Sequence, residues 1–320
     1  MLRVDQVSRT FGQFKAVDGV TFEVGPGRLT GFVGGNGAGK TTTMRIIMGV
    51  LAADAGSVSL NGKPVTRPVA ATFGYMPEER GLYPKTPVGE QLVYLARLHG
   101  VNRAQAEENV ADLLERLGLT ARVNDRLEKL SLGNQQRAQI AAALVHDPTV
   151  LILDEPFSGL DPLAVDTVMA VLRERAARGV PVLFSSHQLD VVERITDDLV
   201  IISGGQIKAS GATAALQEQY AGSRYRLEAA DTAWVAGLPG VTAVVADGAG
   251  VTFDAPAELA QQVLQQALGK GPVVGFNRVI PSLAEVFREV VGDAPKADEA
   301  DAAPAAKKRR GRFGRKEAVK

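Results

Sequence analysis

Residues 29–41 read LTGFVGGNGAGKT, an apolar run followed by a glycine-rich segment that ends on Lys40 and Thr41. From Gly34 onward the segment fits the pattern G-x-x-x-x-G-K-[S/T], which binds phosphates when a strand precedes it and a helix follows. Both are predicted here, a strand over 29–33 and a helix over 42–48, which disfavours a chance glycine-rich turn. We therefore predict a nucleotide site in which Lys40 reaches the β- and γ-phosphates and Thr41 ligates Mg²⁺. Its residues are Gly34, Gly35, Asn36, Gly37, Ala38, Gly39, Lys40, Thr41 and Thr42.

A second apolar run, residues 150–153, ends on two adjacent acids, Asp154 and Glu155. Two adjacent carboxylates at the end of a buried strand destabilise the fold, because like charges repel in a site of low dielectric constant. Their presence therefore indicates a function. We predict that Asp154 holds Mg²⁺ through water and that Glu155 polarises the attacking water. A solvated pair at a strand end is the alternative, and the upstream phosphate loop favours the metal and water roles.

The composition limits the class of protein. The chain has 320 residues, 45% hydrophobic and 22% charged, which excludes global disorder and favours two domains. Lys plus Arg and Asp plus Glu both number 36, and this zero balance argues against bulk capture of nucleic acid. The absence of Cys excludes thiolate chemistry, and three His argue against a His-rich metal site. No apolar run reaches about 18 residues and no secretory signal is present, so we expect a cytoplasmic protein that reaches a membrane only through a partner.

Residues 1–220 alternate short strand-like runs with helical patterns, and several runs are apolar on both faces. This pattern predicts an α/β domain built on a parallel sheet that helices cover. The turn Asn61-Gly62 predicts a hairpin, and with it an antiparallel β subdomain. Strands are predicted over 2–7, 29–33, 150–153, 182–185 and 199–202, and helices over 42–48, 89–98, 104–117, 135–145 and 163–177.

The pattern changes after residue 220, and 221–292 are predicted to form a small accessory α+β domain of split β-α-β type. Strands are predicted over 224–228, 241–245, 251–254 and 273–276, helices that open on a proline over 256–268 and 281–290, and a shorter helical stretch over 232–237. Residues 293–320 lack hydrophobic periodicity, so we expect a disordered tail with a basic end.

Residues 130–137 read LSLGNQQR, shortly before the acidic strand end. This octet resembles the signature of the ATP-binding cassette (ABC) ATPases, whose usual form is L-S-G-G-Q, with departures at Leu132 and Asn134. In that family the signature binds the γ-phosphate of ATP held by the other protomer. A helix capped by Ser131 is the alternative, and the position before Asp154 favours the signature. The residues that the resemblance assigns to it are Ser131, Leu132, Gly133, Asn134 and Gln135.

Other ABC landmarks follow in the family's order. Residues 158–161, SGLD, resemble the D-loop, which crosses the dimer interface and ends here on Asp161. His187 resembles the switch histidine that contacts the γ-phosphate, so the resemblance makes Glu155 and His187 the catalytic residues. Phe11 resembles the aromatic residue that stacks on adenine.

The family's Q-loop carries Gln, and Glu78 stands in its place here. A carboxylate can also ligate Mg²⁺, so hydrolysis of ATP with Mg²⁺ remains the expected activity. A Q-loop that contains Glu resembles the loop of one branch of the family, which includes bacterial sodium-export and drug-export ATPases. Residues 281–287, PSLAEVF, resemble the C-terminal extension of that branch. The resemblance implies an ABC-type P-loop NTPase fold: a parallel-sheet core, an antiparallel β subdomain, a helical signature lobe and an α+β C-terminal domain.

The resemblance implies an ATPase subunit that energises a separate membrane permease, with export favoured, as a homodimer on the inner face of the cell membrane. The alternative is a stand-alone ABC ATPase that acts on ribosomes or DNA. It is disfavoured by the single cassette and by only about 90 residues between Thr41 and Ser131. A GTP-dependent switch is disfavoured because the chain has no N-K-x-D motif. A nucleotide-binding scaffold without turnover is disfavoured by the presence of both Glu155 and His187. The sequence does not indicate the transported substrate.

Two segments have predicted partners. Residues 78–83, with the helical pattern from residue 89, are expected to dock a permease coupling helix, because they join the nucleotide site to a helical lobe. Residues 307–316 contain seven basic side chains, which act either as a solvated end or as an attachment to an anionic membrane surface. Nucleic acid is the least favoured partner for this tail.

Overall fold

The structure is a computed structural model that describes residues 1–79, 81–248 and 250–292. Numbered in chain order, its strands are β1 Leu2–Phe11, β2 Phe14–Val24, β3 Leu29–Val33, β4 Ala55–Leu60, β5 Lys63–Pro64, β6 Gly74–Met76, β7 Leu151–Leu153, β8 Val182–Ser186, β9 Asp198–Ser203, β10 Gln206–Ala212, β11 Arg224–Ala229, β12 Thr242–Asp247, β13 Gly250–Asp254 and β14 Val273–Arg278. Its α-helices are α1 Lys40–Ile47, α2 Arg67–Ala70, α3 Val88–Leu98, α4 Arg103–Arg116, α5 Leu132–Leu144, α6 Pro162–Ala177, α7 Leu189–Ile195, α8 Thr213–Gln219, α9 Ala257–Lys270 and α10 Leu283–Val291. The predictions for residues 293–320, and for Arg80 in the docking segment, lie outside the described residues.

The central sheet has the order β10-β9-β3-β8-β7-β6 and is parallel except for the β9–β10 hairpin. β3 is buried at every position, as expected for a strand covered on both faces. Because β3, β7 and β8 are parallel neighbours, the segments that follow them meet at one edge of the sheet. That edge brings together the phosphate loop, Asp154 and His187. The predicted α/β class is confirmed.

The antiparallel β subdomain has the order β2-β1-β4-β5. The predicted turn joins β4 to β5, with Leu60 opposite Lys63. Asn61 and Gly62 have φ of 51° and 77°, the positive values that a type I′ hairpin turn requires. This sheet packs on the central sheet, and the rings of Phe22 and Phe32 lie 5.3 Å apart at the contact.

Helices α3, α4 and α5 form a lobe at one side of the central sheet. Leu92, Leu113 and Ile140 are buried there and belong to one hydrophobic core with β3 and β7. Helix α5 also contacts β6 and β7. The lobe therefore shares its core with the strands that carry the acidic residues.

The C-terminal sheet has the order β12-β13-β11-β14, and all its neighbouring strands are antiparallel. β11 lies between β13 and β14, the two strands that α9 connects, and this is the split β-α-β arrangement that the sequence predicts. Helix α9 packs on this sheet through Ala260, Val263 and Ala267, all of them buried.

Helix α10 leaves the C-terminal sheet and packs on α7. Its Leu283 and Val286 are fully buried in the large core, and the Leu283 N–H donates to Glu193 Oε2 at 2.9 Å. The prediction that this helix opens on its proline was wrong. Ser282 is the N-cap and forms a capping box with Glu285, which lowers the pKa of the Glu285 carboxyl through hydrogen bonds from the backbone and side chain of Ser282.

Candidate functional site

A cleft of about 810 Å³ lies at the edge of the central sheet where β3, β7 and β8 end. The walls contain residues from every segment that the sequence analysis assigned to nucleotide chemistry within one chain. These are Phe11, Gly35, Asn36, Gly37, Ala38, Gly39, Lys40, Thr41, Thr42, Glu78, Asp154, Glu155 and His187, together with Phe14 and Ala16.

The phosphate loop needs glycine at two positions for steric reasons. A Cβ on Gly34 would lie 2.4 Å from the Ile202 carbonyl oxygen, and a Cβ on Gly39 would lie 2.6 Å from that of Ala16. Gly39 also has φ of 107°, which a side chain disfavours. Helix α1 begins at the next residue, Lys40, so the positive end of its dipole is directed at the cleft. Such a site attracts anions.

Lys40 folds back over the loop. Its Nζ donates to the Gly34 carbonyl at 2.6 Å and to the Gly35 carbonyl at 3.2 Å. These bonds hold the ammonium group at the same wall of the cleft as the loop amides. A phosphate that enters the cleft can replace the two carbonyls as hydrogen-bond acceptor.

Asp154 is 1% exposed, and hydroxyl groups hold both of its carboxylate oxygens. Thr41 Oγ1 donates to Oδ2 at 2.8 Å, and Ser185 Oγ donates to Oδ1 at 2.5 Å. A carboxylate and a hydroxyl in contact are hard oxygen donors, which Mg²⁺ prefers. Ser185 was not among the predicted site residues, because only the pairing of β8 with β7 brings it to Asp154.

Glu155 and His187 form a polar pair at the mouth of the cleft. His187 Nδ1 lies 3.0 Å from Glu155 Oε2, and the two side chains are 59% and 11% exposed. The carboxylate is thus held close to the sheet while the imidazole extends towards solvent. The arrangement places an acceptor for a water proton beside a group that can contact a phosphate.

Two exposed aromatic rings stand at the other side of the cleft. Phe11 and Phe14 face each other across the β1–β2 hairpin and are 46% and 62% exposed. The guanidinium of Arg9 lies 5.1 Å from the centre of the Phe11 ring and supports it. The sequence analysis missed Phe14, although a second aromatic residue three positions after Phe11 was a usable signal. Together the rings offer a surface on which a base can stack.

The signature and the D-loop do not line the cleft of their own chain. Ser131 is the N-cap of α5 and accepts from the Asn134 N–H at 3.4 Å. Asp161 is the N-cap of α6 and accepts from the Ala164 N–H at 2.9 Å. The other signature residues, Leu132, Gly133 and Gln135, lie in the first turn of α5. One chain therefore supplies the cleft and the signature at two separate places.

A second cavity, a groove of about 670 Å³, lies between the central sheet and the helical lobe. His99 and His146 stack on its wall with ring centres 3.7 Å apart. Burial, and then the neighbouring His99, lowers the pKa of His146 to about 4, so this ring is neutral at neutral pH. The groove walls include Val50, Phe73, Leu82, Leu95 and Ala142. The groove is therefore largely apolar.

A glycine-rich phosphate loop, a buried Asp bonded to its Thr, and a Glu–His pair on a parallel sheet define the protein as a P-loop nucleoside triphosphatase. Among the described residues, no helix is both long enough and apolar enough to cross a bilayer.

Comparison with known proteins identifies the family. The profile of the ABC transporter family matches residues 17–158, and that of the C-terminal domain of DrrA1-3-like ATP-binding proteins matches 211–291. An uncharacterised ABC transporter ATP-binding protein of Bacillus subtilis, YhaQ, is 38% identical over 91% of this chain and 99% of its own length. The Nod factor export ATP-binding protein I of Paraburkholderia xenovorans is 39% identical over 67% of this chain and 72% of its own. A solved ATP-binding subunit of an ABC transporter, 33% identical, superposes with a TM-score of 0.64 over 69% of this chain and 93% of that one. The chain belongs to the ABC transporter ATP-binding proteins, and it is an ATP-hydrolysing subunit that energises a membrane transporter.

Proposed function

We propose that this chain hydrolyses ATP with Mg²⁺ in the cleft described above and powers export. The observation that carries the proposal is the Glu155–His187 pair beside Lys40, Thr41 and Asp154 in one cleft. Thr41 and Asp154 would hold Mg²⁺, and Glu78 stands close enough to the cleft to contribute a further oxygen. When bound, Mg²⁺ neutralises the charge of the β- and γ-phosphates.

Each residue that lines the cleft has a separate role in hydrolysis. The Glu155 carboxylate accepts a proton from the attacking water, and His187 orients the γ-phosphate. Lys40 and the amides of the loop stabilise the charge that the leaving phosphate gains. Phe11 and Phe14 hold the adenine ring. Export is supported by the similarity to the Nod factor export ATP-binding protein I.

The complete site requires two copies of the chain. ABC cassettes work as dimers on a membrane permease. In this chain Ser131 and the rest of the signature lie apart from the cleft, so a second copy would present its signature to the ATP that the first one holds. We place the pair on the inner face of the cell membrane through the permease. Ribosome- or DNA-directed action is disfavoured by the same relatives.

The groove is the proposed docking site for the permease. Glu78 lines the nucleotide cleft, whereas Pro77, Gly81 and Leu82 line the groove, so one short segment separates the two cavities. A helix of the permease seated in the groove would therefore press on the segment that carries Glu78. Leu82 is only 9% exposed and belongs to the core, so its substitution would damage the fold.

Val50 is the better position to test, since it lines the groove and is 72% exposed. We expect Val50→Asp to lower permease-stimulated ATPase activity about ten-fold or more, because the permease helix would bury an unpaired charge. Basal ATPase activity should stay within about two-fold of wild type, since the substitution leaves the cleft intact. Both rates are measured with the purified permease in detergent.

Val274→Asp is the matched control. Val274 is 81% exposed on β14, remote from the groove, so the same substitution there should change neither rate. Equal losses of basal and stimulated activity in Val50→Asp would instead indicate damage to the fold, and unchanged stimulation would remove the groove as the docking site.

We further propose the domain division 1–220, 221–292 and 293–320, with the basic end of the tail as an attachment to anionic lipid. Lys307, Lys308, Arg309, Arg310, Arg312, Arg315 and Lys316 carry the charge. Each basic residue near an anionic surface contributes about 1 kcal/mol before screening. The zero net charge of the whole chain gives no support for nucleic acid as a partner of this tail.

Truncation after Gly292 is expected to reduce co-sedimentation with anionic lipid vesicles about ten-fold at low salt, because the seven basic residues are lost. High salt should weaken binding of the full chain, and neutral vesicles should bind neither form. Neutralising Asp298, Glu299 and Asp301 is the control, and it should not weaken binding. Equal binding of the truncated and full chains would make the tail a passive extension.

A further inference from the structure

Glu155 has a strained backbone. Its φ is 52°, in the left-handed region that a residue with a long side chain rarely occupies. Such a conformation persists where the surrounding structure holds it in place. The Glu155 N–H donates to Ser185 Oγ at 2.9 Å, and the Glu155 carbonyl accepts from Gln136 Nε2 at 2.8 Å. The carbonyl also accepts from the Ser158 N–H at 3.2 Å.

The two side chains come from different elements. Ser185 belongs to β8 and also donates to Asp154, so it is part of the metal end of the cleft. Gln136 belongs to α5, the helix whose N-terminus is the signature. It is only 9% exposed, and its amide ends on the carbonyl of a residue that is 19 positions away in sequence.

Helix α5 also fits closely against the segment that follows Glu155. A Cβ on Gly133 would lie 3.4 Å from the Gly159 carbonyl oxygen and 3.6 Å from the Leu160 side chain. The first turn of the helix is thus packed on the D-loop, and the second turn is bonded to Glu155. A shift of α5 would move the backbone that carries the carboxylate.

We propose that Gln136 is a positioning residue for ATP hydrolysis. Its amide fixes the left-handed backbone of Glu155, and this directs the carboxylate towards His187 and the cleft. The inference rests on the proposed role of Glu155 in activating water. Gln136 itself does not line the cleft of its own chain.

The same bond links the two ATP sites of a dimer. In the composite site Ser131 at the start of α5 meets the ATP of the partner copy, while Gln136 on the same helix holds Glu155 at the chain's own ATP. Ser131 and Gln136 both lie in the N-terminal part of α5, so one rigid segment of helix contacts both sites. ATP binding at one site therefore sets the geometry of the catalytic carboxylate at the other, and Gln136 transmits this effect.

Gln136→Met tests the proposal, since Met keeps the shape of the side chain and removes the donor. We expect kcat to fall about ten-fold or more, because small misplacements of a reacting group have effects of this size. KM for ATP and the affinity for a fluorescent ATP analogue should stay within about two-fold of wild type. The Hill coefficient for ATP should fall to about 1.

Asn109→Leu is the matched control. Asn109 Nδ2 donates to the Val145 carbonyl at 2.8 Å, an amide-to-carbonyl bond of the same length at the other end of α5. Its loss should leave kcat and the Hill coefficient unchanged. If Gln136→Met fails to fold, Gln136→Glu keeps the shape and cannot donate when ionised, so it makes the same test.

A combination with Glu155→Gln separates positioning from a general structural role. If Gln136 acts through Glu155, adding Gln136→Met to Glu155→Gln should not lower the residual rate further. A wild-type kcat in the single Gln136 variants, or a full additional loss in the double variant, would overturn the inference. A wild-type rate in Glu155→Gln alone would overturn the role proposed for Glu155, and the inference with it.

Discussion

Replacing Glu155 with Gln is expected to lower kcat for ATP hydrolysis about 10²–10³-fold and to leave ATP bound, because an amide cannot accept the proton of the attacking water. The amide keeps the size of the carboxylate, so the 3.0 Å contact with His187 can persist as a hydrogen bond. Lys40 and the phosphate loop are untouched, so the affinity for ATP should stay within about two-fold of wild type. Steady-state hydrolysis and binding of a fluorescent analogue measure the two quantities.

The same variant should accumulate as a dimer with ATP and Mg²⁺. In the proposed dimer each ATP contacts both copies, so a variant that retains ATP at both sites should hold the copies together. Sedimentation velocity at saturating nucleotide detects the change in mass. Glu258→Gln on α9, which lies in the C-terminal unit, is the control and should behave as wild type. A strictly monomeric Glu155→Gln, with or without the permease, would contradict the two-copy site.

The sequence predicts the elements that are encoded locally. The phosphate-loop strand was predicted with its observed bounds, Leu29–Val33, because Leu29, Phe32 and Val33 are apolar and Gly34 follows them. The hairpin at Asn61-Gly62 followed from the turn chemistry of two residues. These features depend on side chains that are adjacent in sequence, so one sequence is enough to predict them.

Several strands were missed. β6 has three residues and pairs with β7, which is distant in sequence, so no local pattern indicates it. β2 and β10 form hairpins with β1 and β9, the strands just before them, and both are partly exposed. Helix α10 was predicted, but nothing in its sequence indicates that it packs on α7 and not on its own sheet. Hydrophobic periodicity indicates which face of a helix or strand is buried. It does not indicate which neighbouring element that face packs on.

The candidate site divides in the same way. The loop, Asp154 and His187 follow from motifs, whereas Ser185 and Gln136 act only because the β8 register and the packing of α5 bring them to Asp154 and Glu155. Both are ordinary polar residues in the sequence. A motif identifies the reacting group itself. The residues that hold this group in position are identified only by their contacts in the folded structure.

The departures from the usual signature can be explained by the local structure. Leu132 is 61% exposed on the first turn of α5, where the family has Gly, so its side chain does not disturb the core of this chain. Asn134 Oδ1 accepts from Arg137, which also donates to the Leu117 carbonyl at 2.7 Å. The amide therefore ties the signature turn to α4 and leaves the hydroxyl of Ser131 at the helix end.

Two inactive variants are expected to restore activity when they are mixed. Lys40→Met removes the ammonium group that binds the β- and γ-phosphates, and Ser131→Arg fills the helix end that meets the partner's ATP. Each variant alone should lose ATPase activity about 10²-fold, since charge-assisted contacts to phosphate contribute about 1.5–3 kcal/mol each. A dimer with one chain of each kind has one site with both defects and one site with neither, because Lys40 and Ser131 of one site come from different chains.

If equal amounts are mixed, half of the dimers contain one chain of each kind, and each of these has one working site out of two. Independent sites would give the mixture about a quarter of the wild-type ATPase rate. The coupling inferred through Gln136 lowers this value, because the intact site of a mixed dimer faces a partner site that does not bind ATP productively. Each variant mixed with itself controls for concentration, and thermal unfolding of both variants controls for the fold. A mixture no more active than its components would mean that Lys40 and Ser131 contact the same ATP within one chain, or that hydrolysis requires two intact sites.

Mixing each variant with wild-type chain separates these two explanations. If hydrolysis requires two intact sites, mixed dimers are inactive, and each variant lowers the wild-type rate in proportion to the mixed dimers formed.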